Sequence, residues 1–229
     1  MEPVSIKFDT FPDYARYEVI PFVWDCWPRY FEKMCRWLKK HQVKTAIFTS
    51  SQTAEKMKKR FPQMNVMFCP EAVNTMLFQS GKQLNERTTD VFEYGRGSKQ
   101  VYSQDQFQTF LTDSKLTIAL PRSITNSELA GDIETLTQRY WEAMLSRMVM
   151  VGHAPKELTD LIGYNPVIEM DRENPSEQIK DILAHIEDYQ ELVDRNRETA
   201  LQLGDWTLRM KQVMTYLKNC GYEIQANPL

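Results

Sequence analysis

The chain has no surplus of positive charge: 28 Lys and Arg residues stand against 31 Asp and Glu, a formal net charge of −3. That balance gives no overall electrostatic footprint for nucleic acid, so no nucleic-acid partner is expected. No apolar run approaches the roughly 18 residues that a membrane span needs. The opening MEPVSIKFDT lacks the apolar core of a secretory signal. A cytoplasmic chain without a transmembrane segment is therefore expected, with peripheral membrane contact still open. The four cysteines, Cys26, Cys35, Cys69 and Cys220, have no metal-site spacing and read as reduced core thiols. There is no Asp-x-Asp pair to hold a divalent cation beside a diphosphate, so no metal is expected. Nor is there a Walker loop, a Gly-x-Gly-x-x-Gly turn or a Ser-His-Asp set, which leaves NTPase, dehydrogenase and hydrolase readings without support. Internal repeats and low-complexity tracts are also missing.

What is present is an alternation. Short apolar, β-branched runs at 17–24, 45–49 and 65–69 read as buried strands. Amphipathic helix patterns at 29–40 and 51–60 lie between them. Residues 74–89, NTMLFQSGKQLNERTT, break the rhythm and read as a boundary. A second series follows, with strands at 91–94, 116–120, 148–151 and 166–170 and helices at 104–111 and 138–147. Helical sequence closes the chain, with Gly204 before a last helix at 206–217. Its positions Trp206, Met210, Val213, Met214 and Leu217 are expected to form a core-facing stripe. Alternating strands and helices imply an α/β protein with parallel sheets. The expected segments are 1–80, 81–190 and a helical tail at 191–229.

The stretch Gly131–Leu158, GDIETLTQRYWEAMLSRMVMVGHAPKEL, reads as a polar loop, a helix, a strand and another loop. Glu134 and Glu142 bracket the loop-to-helix junction. On one rigid helix they would stand about 12 Å apart on poorly aligned faces. With Glu134 on the loop and Glu142 on the first helical turn, both can face one ligand at a helix N-terminus, a setting that favours phosphate. Hydroxyl acceptors beside an anion site suit a sugar nucleotide.

This ordered set resembles the Glu-x7-Glu signature of the retaining "group 1" glycosyltransferases with the GT-B fold. SKLTIALPRSIT before it, MVMVGHAPKELTDLIGYNPVIEMD after it and WTLRMKQVMTYL near the end extend the resemblance from about residue 90 to 217. The resemblance implies two Rossmann-like parallel-sheet domains, both shortened, with a helical C-terminal tail. The 1–80 segment would be part of an acceptor domain and 81–190 the donor-nucleotide domain. A strand-helix-strand unit between Arg96 and Gln104 is expected to be missing, and earlier strands of the acceptor domain with it.

The resemblance also implies roles. Glu142 would accept hydrogen bonds from the nucleotide ribose, and Glu134 would contact the transferred sugar. Arg96 in YGRG and Lys99 just beyond would neutralise the donor phosphates, where leaving-group charge develops. Arg122, after TIALP, would lie against the donor or pair with one of the two glutamates, and Arg139 has similar standing. His153 in VGHAP ends a strand at the presumed site and either serves the donor or bonds to backbone in a structural turn. Asp25, between Trp24 and Trp27, would face the acceptor or cap the next helix. The implied activity is transfer of a sugar from a nucleotide-sugar donor to a glycan, lipid or small-molecule hydroxyl with retention. No cofactor beyond the donor substrate is expected. The alternative is a non-catalytic, partial or regulatory glycosyltransferase-like subunit.

Overall fold

The computed structural model describes residues 17–95 and 102–224. In chain order the first elements are β1 (Phe22–Val23), α1 (Pro28–Lys40), β2 (Thr45–Phe48), α2 (Ser51–Arg60) and β3 (Asn65–Phe68). Then come β4 (Thr89–Val91), α3 (Gln104–Asp113), β5 (Ser114–Ala119), α4 (Arg122–Thr125), α5 (Ser127–Ala130) and α6 (Gln138–Leu145). The chain continues through β6 (Val149–Gly152), α7 (Lys156–Ile162), β7 (Ile168–Glu169), α8 (Pro175–Ala184), α9 (Gln190–Leu203) and α10 (Trp206–Asn219). The strands and helices expected from sequence are largely these. They group into two compact units. The first takes the chain up to Pro70, Arg122–Thr135 and everything from Met210; the second takes Glu71–Pro121 and Leu136–Arg209. Both units are discontinuous, whereas the expected segments 1–80, 81–190 and 191–229 follow the chain.

In the first unit β1, β2 and β3 form a parallel sheet in that order. Side chains on β2 and β3 alternate between its faces, as the strand period of two requires. Ala46, Phe48 and Val66 pack with Met34, Cys35 and Leu38 of α1 and with Ala54 and Met57 of α2. Ile47 and Met67 turn the other way, onto Val213 and Leu217 of α10. Ser50 caps α2, its side chain accepting from Thr53 N at 3.2 Å. The first strand is shorter than the expected 17–24. Pro21 has no N–H to give a ladder, and its carbonyl instead accepts from Ile47 N at 2.9 Å.

In the second unit β4, β5, β6 and β7 lie parallel in sequence order. Thr89 thereby pairs with Ser114 across β4 and β5. Leu116, Val149 and Val151 point to one face, where Ile182, Ile186 and Val193 cover them. Ala119, Met148 and Met150 point to the other, against Leu111, Trp141 and Met144. Residues 74–89, expected to be a boundary, lie within this unit. Arg87 anchors them: it is nearly fully buried and donates to the carbonyls of Lys82, Ser114 and Ser146 at 3.0, 2.7 and 2.9 Å.

Candidate functional site

Parallel strands bring their C-terminal ends to one edge, and ligands of open α/β sheets bind there. In the second unit that edge carries Tyr94 and Gly95 beyond β4, Ala119 on β5, Gly152 and His153 at the end of β6, and Glu169 on β7. The helix α6 starts beside it. The Tyr140 hydroxyl donates to the His153 carbonyl at 2.7 Å, and the Tyr94 hydroxyl to the Arg139 carbonyl at 3.3 Å.

Two glycines make this edge possible. A Cβ on Gly152 would stand 1.9 Å from the Ala119 carbonyl oxygen, so only glycine lets β6 end this close to β5. The chain then turns outward, with His153 N donating to Ala119 O at 2.8 Å. Gly95 has φ +102°, and a Cβ there would meet the Arg139 guanidinium at 2.2 Å. Arg139 therefore passes over bare backbone, with its guanidinium carbon 5.6 Å from the centre of the Tyr94 ring.

Glu142 is the electrostatic centre of this group. Burial pushes its carboxyl up to about 7, against the downward pull of the Arg139 charge and a hydrogen bond with Tyr94. The same environment acts on Tyr94: burial raises its hydroxyl well above the usual range, and the neighbouring Glu142 charge adds to the rise. Glu142 lies in the second turn of the eight-residue α6, not in the first turn as expected. The helix begins at Gln138 because Thr137, with extended φ and ψ, is its N-cap. Beside this group, His153 Nδ1 and Glu169 Oε1 are 2.8 Å apart, with the imidazole less exposed than the carboxylate. The pair fixes the ring's orientation, and Gly152 and Glu169 are register partners across β6 and β7.

The other expected residues belong to the first unit. Asp25 follows β1 with φ +50°, and its carbonyl accepts from Trp27 N at 2.8 Å, closing a tight turn into α1. Trp27 is buried there against Leu129, Ala130 and Ile133. Arg122, at the start of α4, stacks its guanidinium over the Trp27 ring at 5.5 Å. The loop carrying Glu134 is braced from α2: Gln52 accepts from Glu134 N at 2.8 Å and donates to Asp132 O at 2.9 Å. Glu134 itself is half-buried.

No protein-family model matches the sequence, and no curated protein sequence matches it. Solved structures do. A sucrose-phosphate synthase from Thermosynechococcus elongatus superposes with a TM-score of 0.52 at 14% identity, over 82% of this chain and 62% of that one. AviGT4, a glycosyltransferase involved in avilamycin A biosynthesis, covers 84% of this chain and 78% of its own at 13% identity and a TM-score of 0.48. The fold is of the GT-B type. The chain spans less than two thirds of the sucrose-phosphate synthase.

The expected residues thus fall into two groups. Glu142 and His153 share the second unit's sheet edge with Arg139. Asp25, Arg122 and Glu134 belong to the first unit. Arg96 and Lys99 lie outside the described residues. Tyr94, Glu169 and Gln52 were not expected. Each reaches its partner through tertiary contact between segments distant in sequence, and only the strand register, once known, would have brought Glu169 next to His153. Among the described residues, no group of three or more His, Cys, Asp or Glu side chains is arranged to hold a metal ion. No helix among them is long and apolar enough to cross a membrane.

Proposed function

We propose that this chain is a cytoplasmic retaining glycosyltransferase that takes a nucleotide-sugar donor and passes the sugar to an acceptor hydroxyl. The supporting observation is the Glu142 carboxyl, set between Arg139 and Tyr94 beside the C-terminal edge of a parallel sheet. A carboxylate accepts two hydrogen bonds and so suits the vicinal diol of a ribose. Arg96 and Lys99, just past Gly95, would neutralise the diphosphate. His153, its ring oriented by Glu169, would lie beside it. Glu134 would contact the transferred sugar and Asp25 the acceptor, with Arg122 on the donor side.

No protein nucleophile is required. The bond from the anomeric carbon to the diphosphate oxygen breaks as the acceptor oxygen bonds to that carbon from the same face. The departing diphosphate takes the acceptor's proton. The protein contributes position and charge stabilisation, with neither metal nor cofactor.

Calorimetry against UDP-, GDP- and ADP-sugars tests this. One class of donor should bind. Arg96→Ala should weaken its nucleoside diphosphate by roughly 1.5–3 kcal/mol, the scale of hydrogen bonds to charged groups, while the nucleoside alone binds as in the parent. No heat with any donor would overturn the proposal, and equal losses for both ligands would give Arg96 a structural role. The alternative reading is a non-catalytic, partial or regulatory glycosyltransferase-like subunit. Donor binding without release of nucleoside diphosphate, with or without candidate acceptors, would favour it.

A further inference from the structure

The net charge of −3 conceals a strong segregation. On α1, Arg29, Lys33, Arg36 and Lys40 recur at intervals of four, three and four residues, forming one solvent-facing stripe, and Lys39 is exposed beside it. On α2 the exposed cations are Lys56, Lys58, Lys59 and Arg60. The two helices are neighbours on the same face of the first sheet. Cys35 Sγ lies 3.9 Å from Met57 Sδ, and the Arg60 charge acts on the Cys35 thiol. Against these nine cations the same exposed helix surfaces carry two carboxylates, Glu32 and Glu55, a surplus of seven positive charges. Glu55 pairs with Lys58 at 2.9 Å, and Asp132, at the rim, reaches Lys56 at 3.7 Å.

Helix stability accounts for only part of this. Cations in a last turn complement the helix dipole, which covers Lys39, Lys40, Lys58, Lys59 and Arg60. Arg29 sits in the first turn of α1, where a cation opposes the dipole, and neither helix has an acidic residue in its first turn. Lys33, Arg36 and Lys56 complement no helix end. The exposed positions of the two helices hold no aromatic side chain for base stacking, since Tyr30, Phe31 and Trp37 are half-buried. Six of the nine cations are lysines, flexible point charges that suit a diffuse negative surface better than a fixed bidentate one.

We infer that the α1–α2 face docks the chain onto an anionic lipid bilayer. The docking is electrostatic and peripheral, with the cations facing phosphate headgroups. The inference stands apart from the donor reading, because it concerns a face of the first unit and is measured without a nucleotide.

Vesicle flotation of the full chain tests it. Vesicles of phosphatidylcholine alone are compared with vesicles containing about 30% phosphatidylglycerol, at about 0.1 M and about 1 M salt. The chain should float with the anionic vesicles at low salt and with neither population at high salt. The triple substitution K33Q/R36Q/K40Q should reduce the partition coefficient about a hundredfold, from the usual contribution of each charge near such a surface. Lys180→Gln, on an exposed position of α8, should bind like the parent. These positions are exposed, so the thermal midpoint of the triple variant should match the parent and keep the comparison valid. Equal binding to both vesicle types, an unaffected triple variant, an equal loss with Lys180→Gln, or tighter binding to single-stranded RNA than to vesicles would each overturn it.

Discussion

Burial moves the Glu142 carboxyl from 4.5 up to about 7. That shift has a sign. Below about pH 4.5 the carboxyl is protonated in both native and unfolded chains, and the site costs nothing. Between about 4.5 and 7 the unfolded chain ionises first, so native stability falls as pH rises. Above about 7 the loss is constant, about 3 kcal/mol for a shift of this size. Glu142→Gln removes the ionisation. The variant should therefore gain on the parent progressively across this window, by about 1–3 kcal/mol at pH 8 and by almost nothing near pH 4.5. Urea midpoints at several pH values measure it, and a gain independent of pH would mean that the carboxylate is not desolvated. Spacing and the order of motifs along the chain are enough to single out Glu142. They say nothing of Tyr94, whose contribution depends on the chain returning to its side through α6, far along the sequence.

At the scale of elements, α10 is the instructive case. An apolar stripe through Trp206, Met210, Val213, Met214 and Leu217 fits helical spacing, but Met210 and Met214 are 40% and 39% exposed. Of that stripe Val213 is buried and Trp206 and Leu217 half-buried, and the place of the two methionines on the buried line is taken by Arg209, at 1% exposure. A sequence pattern counts Arg209 as polar and rotates the stripe the wrong way. Its long apolar stem can lie in a core while the guanidinium finds a carbonyl, here Leu203 O at 2.7 Å. Val213→Ala should cost about 1–2.5 kcal/mol, from the methyl groups lost and the gap left behind. Met210→Ala should stay within about 0.5 kcal/mol, the range of surface changes. Chemical denaturation of both variants distinguishes the two stripes, and a larger loss for Met210→Ala would restore the expected one. The other helices are legible because their caps and periods agree, as with Ser50 before α2 and Ser103 before α3. The helices α4 and α5 are not, because four residues span barely one turn and carry no period.

At the scale of the molecule, strand order and parallel pairing follow from the alternation of strands and helices, because βαβ connections leave few choices. The composition of the units does not. Residues 122–135 and 210–224 belong with strands far earlier in the chain, and no local pattern records that. Overall charge misleads in a similar way, because a sum over the chain hides its distribution. If the α1–α2 face holds a surplus of seven positive charges within a total of −3, the rest of the chain holds a balance of −10. Such a protein has two chromatographic personalities. With a pI near 5.7 it should be held by an anion exchanger at about pH 7.5, as its total charge dictates. It should also be retained by a cation-exchange resin at low salt at the same pH, because a flat bead meets one face rather than the sum. The triple variant K33Q/R36Q/K40Q should pass straight through that second column. A parent protein that also passes through would mean that its positive face is screened by its own acidic remainder.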